Sequence, residues 1–105
     1  MNSPVEEPAQ QAANIVLDCV SAYDPEAADP INETLMNLAL SRLNETDAIT
    51  VTENEHGVTT VEISNLITGV IVAMHWLSSH LAESSGNDRA VVISDLRAFL
   101  DGRVE

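Results

Sequence analysis

The chain has 105 residues, 17 acidic side chains against four arginines and no lysine, a net charge of −13 and one cysteine. That length is one domain on ordinary size grounds, and a single cysteine excludes an intramolecular disulfide framework. No stretch is apolar for long enough to span a membrane, and the acidity repels phosphate backbones and anionic lipid, which argues against membrane insertion and direct nucleic-acid binding.

Aromatic residues make up 3% of the chain: Tyr23, Trp76 and Phe99 are the whole set, so the core has to be aliphatic. Charge is uneven. Residues 1–62 hold twelve acids and only Arg42, a net of −11, whereas residues 63–105 hold five acids with Arg89, Arg97 and Arg103, a net of −2. The opening residues show neither the basic stretch nor the apolar run of an export signal. With the lone Cys19, that points to a reducing, cytoplasmic setting. The Asn-Glu-Thr triplets at Asn32 and Asn44 then read as coincidence. Arginine without lysine is compatible with a GC-rich bacterial or phage source.

Residues 1–6 are expected to be a flexible lead-in to a single acidic domain, 7–105. The first helix should run from Glu7 to about Tyr23, since Pro8 suits a first turn whose N–H groups have no helical partner. Ala12, Val16, Cys19, Val20 and Tyr23 share one face of it. Asp24-Pro25 opens a turn, and Asp29-Pro30 starts a second helix to about Asn44, with Ile31, Leu35, Leu38, Ala39 and Leu43 on one side.

A hairpin at about 48–63 follows. Ile49–Thr52 and Thr59–Ile63 both alternate apolar and polar residues and are rich in β-branched side chains. Pairing Val51 with Val61 sets Thr52 opposite Thr60, Thr50 opposite Glu62 and Ile49 opposite Ile63. It leaves a three-residue loop, Glu55-His56-Gly57, with Gly57 at the left-handed position. A lone hairpin is marginally stable and has to pack on helices or on further strands.

Ser64 or Asn65 can cap a third helix to about Glu83. Ile67, Val70, Ile71, Met74, Leu77 and Leu81 form one stripe, and Leu66, Gly69, Val72, Ala73 and Trp76 make the rest apolar or small. A helix apolar nearly all round is expected to be central and buried, or to lie in an oligomer interface. Gly86 ends it. A fourth helix, capped by Asn87 or Asp88, should reach about Asp101 and bury Val92, Ile93, Leu96, Phe99 and Leu100. The fold class is therefore mainly α with one β-hairpin (α+β), in the order helix-helix-hairpin-helix-helix.

No residue pattern in the chain carries a familiar chemistry. His75 and His80 are five apart and lie about 140° round a helix, where they cannot readily share a metal that wants an i, i+4 pair. Cys19 sits on an apolar stripe, where cysteine behaves as a small hydrophobe. Glu53-x-Glu55 lacks the alternation, the central glycine and the distal glutamate of a calcium loop. There is no phosphate-binding loop, no Gly-x-Ser-x-Gly and no Cys-x-x-Cys. No cofactor, no metal and no catalytic residue are expected.

The remaining readings are interactions. A non-catalytic regulator or adaptor, homodimeric and open to a basic protein partner, fits best. Its expected contact residues are Ile49, Val51, Val61 and Ile63 on the hairpin, whose edges are free to pair, and Gly69, Ala73 and Trp76 on the third helix. Gly69 and Ala73 lie one turn apart, a spacing that lets two backbones approach closely, within the chain or between copies. A nucleic-acid-mimicking inhibitor of a basic partner is one alternative. A degenerate winged-helix regulator is another. In that second case Leu35 to Leu43 is the recognition-like helix, which offers only Arg42 to a DNA backbone.

Overall fold

The computed structural model describes residues 3–102. It contains α1 (Glu7–Ala22), α2 (Asp29–Glu45), β1 (Thr50–Glu53), β2 (Thr59–Glu62), α3 (Ser64–Ser85) and α4 (Arg89–Leu100), so the expected element order holds. Residues 1–2 of the expected lead-in, and Arg103, lie outside the described residues. The chain divides into two compact units, residues 1–72 and 73–105, with the boundary inside α3.

In the first unit α1 and α2 pack on each other. Ala12 and Ile15 of α1 meet Ala39 and Leu43 of α2, and Ala48 closes the cluster. The small alanine side chains let the two helix backbones come together. Cys19, Ile49 and Leu66 pack against this cluster from its edges. Arg42 spans the same pair of helices at the surface, its Nη1 3.0 Å from Asp18 Oδ2. Asp24-Pro25 forms only a turn, as expected. Glu26 N–H donates to Asp24 Oδ1 at 2.9 Å, and Asn32 Nδ2 donates to the Asp24 carbonyl at 2.7 Å, which ties the start of α2 to the end of α1.

The end of α2 carries no glycine, yet it closes as a Schellman motif. Asp47 adopts φ 62°, Ala48 N–H donates to the Leu43 carbonyl at 3.1 Å, and Asp47 N–H donates to the Asn44 carbonyl at 3.4 Å. Ala48 and Leu43, the apolar pair that accompanies this closure, are both buried. The closure also takes the N–H of Ile49, which donates to the same Leu43 carbonyl at 3.3 Å.

The hairpin register is the expected one: Thr50 with Glu62, Val51 with Val61, Thr52 with Thr60 and Glu53 with Thr59. Ile49 and Ile63 do not extend the ladder, because Ile49 is held by α2 and Ile63 already offers its carbonyl to Ile67 N–H in the first turn of α3. Gly57 takes φ 77°. Asn54 organises the loop, its Oδ1 accepting from His56 N–H at 2.8 Å and Val58 N–H at 3.0 Å. Every residue from Val51 to Ser64 is exposed, so neither strand is covered by a helix.

The element order is as expected, but α3 is not buried. Ile67, Ile71, Met74, Trp76, Leu77 and Leu81 are all exposed. Nor does α4 bury its apolar face: Val92 and Ile93 are half-buried, while Leu96, Phe99 and Leu100 are exposed. The outer stripes of α1 and α2 behave alike, with Val20, Tyr23, Ile31 and Leu38 exposed. Among the described residues the buried apolar positions outside glycine are five alanines, Ile15 and Leu43. Helical period identifies an apolar face, but covering that face needs a neighbouring element, which the period does not supply.

Candidate interaction surface

Two of the residues expected at an interface are used inside the first unit. Ile49 packs on the core cluster. Gly69 is buried where α3 crosses α1: a Cβ placed on it would lie 2.4 Å from the Ala9 carbonyl oxygen and 3.1 Å from the Ala13 nitrogen. The close approach that Gly69 permits is therefore made within the chain. Ala73, one turn on, is half-buried. The other four are exposed. Val51 and Val61 stand opposite each other in the ladder, Ile63 precedes α3, and Trp76 stacks on His80 with ring centroids 3.9 Å apart and planes 20° from parallel.

The second unit exposes apolar residues that were expected to be covered. Met74, Leu77 and Leu81 of α3 and Val92 and Leu96 of α4 line a cleft of about 450 Å³, rimmed by Ser78, Ser85, Asn87 and Asp95. Phe99 and Leu100, at 65% and 71% exposure, continue the apolar surface along α4. Ala82 is the one buried residue of this unit among those described. These residues were visible in the sequence as amphipathic stripes, a signal that cannot distinguish a core from an interface.

A smaller cleft of about 340 Å³ opens between α1 and α2, lined by Val16, Cys19, Val20, Tyr23, Asn32, Leu35 and Met36. Asn32 is its one polar side chain with an amide, and that amide is engaged with Asp24. No basic group lines this cleft to activate the Cys19 thiol. Among the described residues no three His, Cys, Asp or Glu side chains are placed to hold a metal ion.

The electrostatics of the surface come mostly from exposed, solvated carboxylates. Glu62 is held below the ordinary glutamate value of 4.5 by the Ser64 hydroxyl and then by the Ser64 N–H, which donates at 2.8 Å. Its carboxylate thereby satisfies one of the free N–H groups that begin α3. Arg42, the one cation of α2, is engaged by Asp18, which leaves that helix without a free positive charge for a phosphate.

In comparisons with known proteins, no family model matches the chain, and neither a curated protein nor a solved structure matches it. No helix among the described residues is long and apolar enough to cross a membrane.

Proposed function

We propose that this chain is a non-catalytic regulator or adaptor that acts by protein–protein interaction, in the cytoplasm and as a homodimer. The observation that carries the reading is the mismatch between core and surface. Twenty-one large apolar side chains are exposed among the described residues, while the buried apolar set outside glycine is five alanines, Ile15 and Leu43. Exposed apolar surface on this scale marks an interaction face. The acidity of residues 1–62 suits a basic protein partner.

The test is thermal unfolding over a hundredfold range of protein concentration. A homodimer whose folding is coupled to association melts at a temperature that rises with concentration. An invariant melting temperature, together with a reversible transition, contradicts the reading.

The net charge of −11 on residues 1–62 favours a second reading, in which the carboxylates stand in for phosphates on the nucleic-acid site of a basic partner. Partner affinity that collapses between low and high salt supports this mimicry, whereas affinity that persists supports apolar docking.

A further inference from the structure

We infer that the open edge of β1 takes up an extended, basic segment of a partner protein as a third strand, with a cation of that segment opposite Glu53. The inference rests on the basic-partner part of the reading above and names its surface; it does not depend on self-association.

The phase of the ladder determines which backbone groups are open. Asn54 N–H donates to the Val58 carbonyl at 2.9 Å, which makes Asn54 and Val58 a hydrogen-bonded pair. Bonded and non-bonded pairs alternate along an antiparallel ladder. Glu53 lies opposite Thr59, Thr52 opposite Thr60 and Val51 opposite Val61, so Glu53–Thr59 and Val51–Val61 are the non-bonded pairs. The N–H and C=O groups of Val51 and Glu53 therefore point away from β2, along the outer edge of β1. Among the described residues the sheet has two strands, and Val51, Thr52 and Glu53 are exposed. An edge of this kind is a template for a further strand.

The side chains at this edge choose its partner. From Thr50 to Glu62 the hairpin holds Glu53, Glu55 and Glu62 and neither arginine nor lysine. Glu62 is occupied by Ser64, whose N–H and hydroxyl both donate to it. Glu55 lies 3.8 Å from His56 Nε2. Glu53 takes part in no ion pair among the described residues. It shares a face of the strand with Val51. A strand added here sets its residues about 4.5–5.5 Å from those two, where opposite charges stabilise and like charges repel. The edge suits a segment with arginine or lysine opposite Glu53 and an apolar residue opposite Val51. It disfavours an acidic strand, a second copy's β1 included. The outer edge of β2 offers Thr59 and Val61, with no charge to select a partner.

The probe is an acetylated octapeptide of alternating arginine and valine, titrated into the full chain at low salt by calorimetry. Two further octapeptides separate strand pairing from charge alone. Arginine alternating with proline keeps the charge but lacks every second N–H, and glutamate alternating with valine reverses the charge. The Arg-Val peptide should bind about tenfold or more tighter than either. In the protein, Val51→Pro and Val61→Pro each remove one outward N–H and keep the ladder bonds, since proline is tolerated where the N–H faces solvent. Val51→Pro should weaken the Arg-Val peptide about tenfold or more, and Val61→Pro should leave it unchanged. Glu53→Gln, which touches no ladder bond, should weaken it about two- to fivefold. An Arg-Pro or Glu-Val peptide that binds as tightly as Arg-Val, or an Arg-Val peptide that does not bind, overturns the inference. So does binding that Val61→Pro abolishes while Val51→Pro and Glu53→Gln leave it intact. Light scattering on the same samples keeps the two proposals apart: a dimer that ignores the peptide overturns this edge and leaves self-association standing, and a monomer that binds it does the reverse.

Discussion

Replacing Gly69 by alanine measures how closely α1 and α3 cross. The new Cβ would lie 2.4 Å from the Ala9 carbonyl oxygen, 3.1 Å from the Ala13 nitrogen and 3.3 Å from the Ala13 Cβ. Carbon–oxygen contacts settle at about 3.3–3.6 Å, so the backbones must separate by roughly 1 Å. The two nearest atoms belong to the backbone, and no side-chain rotation relieves them. Overpacking that only a backbone shift can relieve takes the upper part of the usual range, about 2–3 kcal/mol. Alanine returns about 1 kcal/mol through its higher helix propensity. The net loss is about 1–2 kcal/mol, which lowers the melting temperature by roughly 5–15 °C in a domain of this size. Thermal unfolding followed by circular dichroism, at one fixed protein concentration, reads the change. Thr68→Ala, at the exposed neighbouring position, supplies the control and should leave the melting temperature unchanged or slightly raised. A Gly69→Ala chain as stable as the parent would refute the crossing at Gly69.

Asp47→Gly should stabilise the chain by about 0.5–1 kcal/mol in denaturant titration, because an L-residue at φ 62° is strained and glycine is not; a loss of stability would contradict the closure described for α2. Gly57→Val should destabilise the hairpin by about 1–2 kcal/mol while Gly57→Asn stays close to the parent, since asparagine tolerates the left-handed region and valine does not. The Glu62 carboxylate is favoured in its ionised form by Ser64, so its contribution is fully present above the ordinary glutamate value and is lost as pH falls through the lower folded value. Glu62→Gln should therefore flatten the loss of melting temperature on acidification, and an unchanged acid profile would show that the Ser64 hydrogen bonds contribute nothing to stability.

The local rules of the fold are legible in the residues. Alternation and the position of Gly57 together determine one hairpin register, and the Asp24-Pro25 turn follows from its side chain. Two local features escape for definable reasons. The closure of α2 uses Asp47 at a position where the expected signal is glycine, and its capture of the Ile49 N–H removes Ile49 from the ladder. The partner of Gly69 turns out to be α1, where Ala9 and Ala13 have the matching spacing of small residues one turn apart. The proposed interaction surface is harder to read. Leu96 and Phe99 form the same stripe whether the element covering them belongs to this chain or to another, so the period places the face and leaves its neighbour open. In the folded chain Met74, Leu77, Leu81 and Phe99 are exposed.

The most direct test of the account is the solution mass by light scattering, taken at low and at high salt. Apolar association predicts twice the 11.3 kDa chain mass in both conditions, with salt strengthening the dimer by screening the repulsion between its acidic first units. A mass of one chain at every concentration, or a dimer that salt dissolves, contradicts it.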